Sequence, residues 1–193
     1  MESQQVLEFL ETQYQSSCNN RSDINEHLKI LKELSDEVNH VTEMGVRTGN
    51  STRAFLNSDV ILRSYDIQMC ESVQQLFKIA QEVGKDVQYI QANTLDLTIE
   101  ETDFLFIDTL HNYDQLLAEL RLHAPKTRKY IAFHDTQTFG VLPEGKSPTN
   151  LGLLPALIQY MIESNDQWKF KIHRTNNNGL TVIERRNPLD SFA

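Results

Sequence analysis

The sequence is poor in cysteine, in clustered positive charge and in long apolar runs. Cys18 and Cys70 are the only cysteines in 193 residues, too few for a disulfide framework. Each reads most simply as a buried or neutral thiol, and a reducing, cytoplasmic setting is the expectation. No apolar run reaches the roughly 18 residues of a membrane-spanning helix, so neither a span nor a membrane partner is expected. The start, Met1-Glu2-Ser3-Gln4-Gln5, has no basic region leading into an apolar core, and a secretory leader is not expected. Lysine and arginine number 18 against 27 acids, a net charge of −9. Such a surface repels a phosphate backbone. The one dense basic run, Lys126-Thr127-Arg128-Lys129, reads as a solvated strand entry, so nucleic acid is not an expected partner. No internal repeat or low-complexity segment is present.

What remains is ordinary for a soluble globular chain, with 39% hydrophobic and 23% charged residues, and the length suits one domain over 1–193. Val6, Phe9, Leu10 and Tyr14 suggest a short first helix. Ser22 or Asp23 can cap a second, with Glu26 placed as in a capping box and Ile24, Leu28, Leu31, Leu34 and Val38 at helical spacing. These helices, within 1–37, read as a cover for one sheet face or as a surface for pairing with a second copy.

The chain is organised around Val41 to Thr52. His40 to Glu43 reads as a short strand, Gly45 and Gly49 bracket a tight loop, and Asn50 to Leu56 starts a helix. The glycines let the backbone turn and let a ligand come close, and the helix start presents free N–H groups. Glu43, at the strand end, can meet a positive or hydroxyl-bearing group. A dinucleotide fingerprint would place its second and third glycines at Arg47 and Asn50. A phosphate-cradling loop would need a Gly-Lys pair. Neither pattern is met; the stretch reads E-x-G-x-x-x-G-x-S.

Strand-like and helical stretches then alternate. Val60 to Tyr65 ends on Asp66, and Met69, Val73, Leu76, Phe77 and Ala80 mark a helix closed by Gly84. Val87 to Ile90 ends near Asn93. Phe104 to Ile107 is a continuous apolar run, as a central parallel strand requires, and ends on Asp108. Tyr113, Leu116, Leu117 and Leu120 follow at helical spacing, and Tyr130 to Phe133 ends on His134-Asp135. The alternation implies a parallel α/β sheet with right-handed crossovers. Residues 136–152 hold three of the seven glycines and two of the five prolines, with no periodicity, and read as a lid or acceptor loop. A further helix over Leu154 to Ile162 precedes two strands, Trp168–His173 and Leu180–Glu184, joined by an Asn-Gly-containing loop.

In an open α/β sheet, ligands bind beyond the carboxyl ends of the strands. Glu43, Asp66, Asp108 and the His134-Asp135 pair all fall there. Asp66 lies 23 residues after Glu43, near the roughly 20-residue spacing of an acid that reaches a ribose diol.

The stretch E-x-G-x-x-x-G-x-S resembles the first motif of class I S-adenosylmethionine-dependent methyltransferases. Asp103 to Tyr113 resembles the D-x-x-F-I-D-x-x-H-x-Y segment of one branch of that family, related to cephalosporin hydroxylase and macrocin O-methyltransferase. His134-Asp135-Thr136 resembles that branch's strand-five ending, and Asn178 to Val182 is similar to its closing hairpin. The resemblance spans about 38–186 and implies a Rossmann-like three-layer sandwich, a parallel five-stranded sheet extended by a C-terminal antiparallel hairpin. It implies that Glu43, Gly45, Gly49 and Ser51 hold the methionine end of S-adenosylmethionine, Asp66 its ribose, and Asn93 and Asp108 further parts. The implied reaction is methyl transfer to a small-molecule acceptor, more readily at oxygen than at nitrogen or carbon, on a sugar or natural product. Proton removal would fall to His111 or His134, with Asp108 and Asp135 orienting them or acting alone. A metal is the other route: Mg²⁺ on Asp108 and Asp135, though His134 is an awkward neighbour for a cation that prefers oxygen. Two other readings stay open, a hydroxylase-like relative without methyl transfer and a nucleotide-cofactor oxidoreductase. Arg47 and Asn50 argue against the latter.

Overall fold

The computed structural model of the chain describes residues 3–187. Residues 1–2 and 188–193 lie outside it, and with them the first two residues of the leader reading and the ends of the expected 1–193 domain. Seven strands form one sheet: β1 (His40–Met44), β2 (Ile61–Asp66), β3 (Val87–Gln91), β4 (Thr102–Ile107), β5 (Thr127–His134), β6 (Trp168–Arg174) and β7 (Leu180–Arg185). Their order is β3-β2-β1-β4-β5-β7-β6. The first five are parallel, and β7 runs antiparallel to both β5 and β6. This is the sheet expected from the alternation and from the closing hairpin.

Why the central strands read as unbroken apolar runs is visible in the packing. Both faces of the sheet are covered, so both sets of alternating side chains are buried. On one face Phe104, Phe106, Tyr130 and Ala132 join the core made with α1 (Ser3–Asn19), α2 (Leu28–Ser35), α3 (Asn50–Leu56) and α4 (Glu71–Glu82). On the other, Leu105, Ile107, Ile131 and Phe133 pack with α5 (Tyr113–His123) and α6 (Leu153–Glu163). The N-terminal helices therefore do cover a sheet face: Val6, Leu10 and Tyr14 of α1 and Leu28, Leu31 and Leu34 of α2 are buried. No helix among the described residues is long and apolar enough to cross a membrane.

One local expectation fails. The second helix does not begin with a capping box at Asp23. One turn of 3-10 helix, Asn25–His27, precedes α2, and no side chain caps either start. The Asp23 carboxylate pairs with Arg47 at 2.7 Å. Glu26 donates its backbone N–H to Asn177 Oδ1 at 2.9 Å, and its carboxylate accepts from Asn176. Long-range partners in the β6–β7 loop take both groups that the box would have used.

Residues 136–152 hold only bends and turns, but both ends of the segment are pinned. Gln137 and Thr138 donate to Asn178 O, and Phe139 to Asp135 O; Gly152 donates to Val141 O and Leu153 to Phe139 O. Gly140 and Gly152 pack so closely that an added Cβ would sit 2.2 Å from the carbonyl oxygens of Thr136 and Phe139 respectively.

Candidate functional site

A cleft of about 610 Å³ lies across the carboxyl ends of the strands, from Gly45 and Asp66 at one end to Asp108, His111 and Glu144 at the other. The size is that of a site for a small molecule or cofactor. Two regions of the sequence set its character.

The loop after β1 forms the first. Gly45 has φ +87°, and a Cβ there would lie 2.0 Å from the Asp108 carbonyl oxygen. Only glycine lets the β1 and β4 ends close up in this way. Arg47 also lies in the left-handed region, with φ +47°. Asp66 stabilises the loop from below: its Oδ2 accepts the N–H groups of Val46 (2.8 Å) and Arg47 (2.9 Å), and its Oδ1 accepts Gln68 N–H (2.9 Å). Asp66 and Asn93 both line the cleft. Asn93 caps the turn after β3, accepting from Leu95 N–H at 3.1 Å.

Three of the residues expected to touch a cofactor are turned elsewhere. Glu43 is 0% exposed. Its carboxylate accepts Ser51 Oγ–H at 2.6 Å, Ser64 Oγ–H at 2.5 Å and Thr52 Oγ1–H at 2.9 Å. Burial pushes its pKa up to about 7, against the pull of those hydroxyls. Glu43 and Ser51 thus tie β1, β2 and the first turn of α3 together beneath the loop, and neither lines the main cleft. Gly49 has φ +76°, and its missing Cβ would meet Val73 Cγ2 of α4 at 2.9 Å. It is a turn glycine facing α4, not a ligand-facing one.

The ends of β4 and β5 form the corner with the chemistry. Asp108, His111, His134 and Asp135 come together there, as expected, but the two histidines are in different situations. His134 is buried, 1% exposed. Its Nε2 lies 3.1 Å from Asp23 O and 3.3 Å from Asn177 O. A carbonyl can only accept, so Nε2 carries a proton. Nδ1 faces Asp108 Oδ1 and Asp135 Oδ2, each at 3.4 Å. Burial opposes the charged ring, but the two carboxylates outweigh it and hold the His134 pKa up at about 10. His134 thus sits behind the two acids with Nε2 committed to the carbonyls, and it does not line the cleft.

His111 stands at the cleft edge. Its Nε2 lies 3.2 Å from Asp108 Oδ1 and 3.1 Å from Asp135 Oδ2, and its Nδ1 2.8 Å from Glu144 Oε2. The ring stacks on Phe139, 5.1 Å between centroids and 6° from parallel. Burial lowers its pKa, but the hydrogen bond to Asp108 and the charges of Asp108 and Asp135 outweigh that, so the pKa lies above the ordinary histidine value. For Asp108 burial works the other way, and the hydrogen bond from His111 and the nearby His134 ring together hold its carboxyl far below the usual carboxylate range.

Asp135 has φ +58°, rare for a residue with a side chain, and its buried Oδ1 has no hydrogen-bond partner among the described residues. An unpaired buried oxygen is costly, so this atom is poised for a donor or a cation. One oxygen each of Asp108 and Asp135 and one nitrogen of His111 lie within 4.8 Å of one another, a set that could hold a metal ion. Asp108 and Asp135 thus stand where a metal was expected, with His111 rather than His134 as the third group.

Glu144 was not legible as a site residue. It lies in a Pro-Glu-Gly stretch of the unpatterned loop and reaches His111 because its own N–H donates to the His111 carbonyl at 2.8 Å. Thr94, Thr109 and Gln115 also line the cleft. Their side chains converge on the buried Glu119 of α5: Thr94 Oγ1 at 2.6 Å, Thr109 Oγ1 at 2.8 Å and Gln115 Nε2 at 2.9 Å. Nothing in the local sequence marks this convergence.

No family model matches the sequence, and no curated protein does. Solved structures do match it in fold. A protein from Corynebacterium glutamicum superposes with a TM-score of 0.66 at 15% identity, over 96% of this chain and 91% of that one. An O-methyltransferase from Bacillus cereus in complex with SAH gives 0.62 at 14%, over 94% and 91%. A 1,6-didemethyltoxoflavin-N1-methyltransferase from Burkholderia thailandensis, with bound 1,6-didemethyltoxoflavin and S-adenosylhomocysteine, gives 0.57 at 13%, over 94% and 87%. The chain has the seven-stranded fold that these structures share.

Proposed function

We propose that this chain is an S-adenosylmethionine-dependent methyltransferase that acts on a hydroxyl of a small molecule. The observation that carries the reading is the charge of the cleft. Asp66, Asp108 and Glu144 line it, and the arginine at its rim, Arg47, is paired with Asp23. Such a lining repels a pyrophosphate and attracts a sulfonium cation. A nucleotide-cofactor oxidoreductase is disfavoured on the same ground. The fold it shares with two methyltransferases solved with bound S-adenosylhomocysteine or SAH supports the same cofactor.

When bound, S-adenosylmethionine supplies a methyl already activated on sulfur, so the protein's work is orientation and proton handling. Asp66 keeps lone pairs on Oδ1 beyond its bond to Gln68, which suits ribose hydroxyls. Gly45 keeps the cleft floor thin. Asn93 stands at the far rim. An acceptor hydroxyl must lose its proton, and His111 is the base this reading assigns. Its neutral form is required, with Nδ1–H kept on Glu144 and a bare Nε2 taking the proton of an acceptor hydroxyl seated between the ring and the two acids; the carboxylates favour the charged ring and so move its action to higher pH. His134 positions Asp108 and Asp135 and takes no proton. Residues 136–152 serve as the acceptor loop, with Glu144 holding His111 from the second ring nitrogen.

A divalent cation would fit Asp108, Asp135 and His111, given the unpaired Asp135 Oδ1, and would act as a Lewis acid on the acceptor oxygen. Mg²⁺ prefers oxygen to imidazole nitrogen, and in this arrangement the His111 ring itself bridges the two acids. The metal-free route is therefore the one adopted. The sugar or natural-product acceptor is to be found by incubating the protein with methyl-labelled S-adenosylmethionine and fractionated small-molecule extracts. Label in a new, ether-linked product supports the reading. Cofactor binding with no label transferred in any fraction overturns it in favour of a binding or hydroxylase-like relative.

A further inference from the structure

A second opening lies beside the first, between the end of α1 and the start of α3, with a volume of about 310 Å³. Its walls are unusual for so acidic a chain. Gln13, Ser16, Ser17 and Asn20 line it from α1, Arg21 and Ser22 from the turn that follows, and Asn50 and Arg53 from α3. Two are cations, the rest are amides or hydroxyls, and none is acidic or apolar, in a protein of net charge −9.

Much of this hydrogen-bonding capacity is unused. Among the described residues, the side chains of Gln13, Ser17, Arg21 and Asn50 take part in no hydrogen bond or ion pair. Arg53 is half-buried. Its Nη1 holds the glycine loop through Thr48 O at 2.8 Å and Gly49 O at 2.7 Å, which leaves Nη2 and Nε free. The whole guanidinium of Arg21 and the two remaining nitrogens of Arg53, on two segments with amides and a hydroxyl between them, are the donor set for a phosphoryl group on a hydroxyl-rich carrier. The groove also adjoins the catalytic corner. Asn50 belongs both to it and to a smaller pocket that runs past Arg47 and Thr48 to Asp108.

We infer that this groove binds the phosphoryl group of a phosphorylated, polyhydroxylated small molecule, with Arg21 and Arg53 on the phosphate and Gln13, Ser17 and Asn50 on its hydroxyls. That the ligand is the methyl acceptor, reaching past Asn50 toward Asp108, rests on the proposed function; the groove itself does not.

The test is a titration of the isotope-labelled full chain, followed by NMR, with ribose 5-phosphate, inorganic phosphate and ribose, at constant ionic strength and without S-adenosylmethionine. The expected result is saturable shifts confined to residues 13–22 and 50–53, with ribose 5-phosphate tighter than phosphate and ribose not binding. Arg21→Gln, which removes an exposed side chain that holds nothing else, should weaken ribose 5-phosphate binding about tenfold or more. Equal binding of phosphate and ribose 5-phosphate would keep the anion site but overturn its sugar part. Shifts that do not saturate, that fall elsewhere, or that survive Arg21→Gln in an intact spectrum would overturn the site. A chain that binds ribose 5-phosphate but not S-adenosylmethionine would refute the proposed function and leave the groove standing.

Discussion

The two ends of the cleft are made of the same residue types and are chemically unlike. At the β1–β2 end, three hydroxyls meet the Glu43 carboxylate, which is sealed beneath the loop. At the β4–β5 end, Asp108 and Asp135 share two histidines, and one buried oxygen of Asp135 has no partner. An acid at a strand end is therefore available for chemistry only where its neighbours leave part of it unsatisfied. The same contrast separates the histidines: backbone carbonyls lock His134, whereas both ring nitrogens of His111 face carboxylates at the cleft edge.

The largest effect should come from breaking the open end. His111→Ala should lower turnover by about 10²–10⁴, the usual worth of a positioned base, while cofactor affinity measured by calorimetry stays put. The parent's rate should rise with pH through one ionisation above the ordinary histidine range, because the carboxylates favour the charged ring. That limb should vanish in the variant. A limb that persists would place the base elsewhere.

His134→Ala should act on the fold instead. It leaves the buried Asp135 and the half-buried Asp108 with His111 as their one remaining ring, a loss of up to about 3–5 kcal/mol in denaturant unfolding. A variant as stable as the parent would show that the ring is not charged. The pH dependence gives the sign independently. His134 has its pKa raised to about 10. Its contribution is full below the ordinary histidine value and lost as pH rises toward 10. Asp108 is shifted down, so its contribution is present above the ordinary carboxylate range and lost as pH falls below it. Glu43, raised to about 7, favours the protonated fold, so its contribution is full below the ordinary carboxylate value and is lost as pH climbs from there to 7. Unfolding free energy measured from pH 4 to 10 should therefore peak on the acid side of neutrality. A maximum near pH 9 would contradict these assignments.

A smaller effect should divide the two acids at the closed end. Glu43→Gln keeps the hydrogen-bonded wedge and should leave cofactor affinity unchanged. Asp66→Ala should cost about 1.5–3 kcal/mol of it, the worth of a charged hydrogen bond. Equal losses in both would mean that the loop, not Asp66, senses the ligand.

The sheet was legible because its signals are local. Phe104 to Ile107 alternates between two cores, so every residue had to be apolar. The close approach at Gly45 shows as a glycine after a strand. The site was legible only as far as strand ends go. Which nitrogen of His134 holds a proton depends on carbonyls at Asp23 and Asn177, more than forty residues away on either side. That Glu26 caps nothing depends on Asn176 and Asn177. Glu144 carries no periodicity and no motif, so only the folded loop brings it to His111. Glu43 and Gly49 were correctly marked as special, but a motif does not say whether a residue faces the ligand or holds the turn.

The central claim is that an acidic cleft at the strand ends selects a sulfonium cofactor over a pyrophosphate one. Calorimetric titration of the chain with S-adenosylmethionine and, separately, with NAD tests it most directly. The account predicts one-site binding of S-adenosylmethionine, weakened in Asp66→Ala, and no heat with NAD. Saturable binding of NAD with none of S-adenosylmethionine would contradict it.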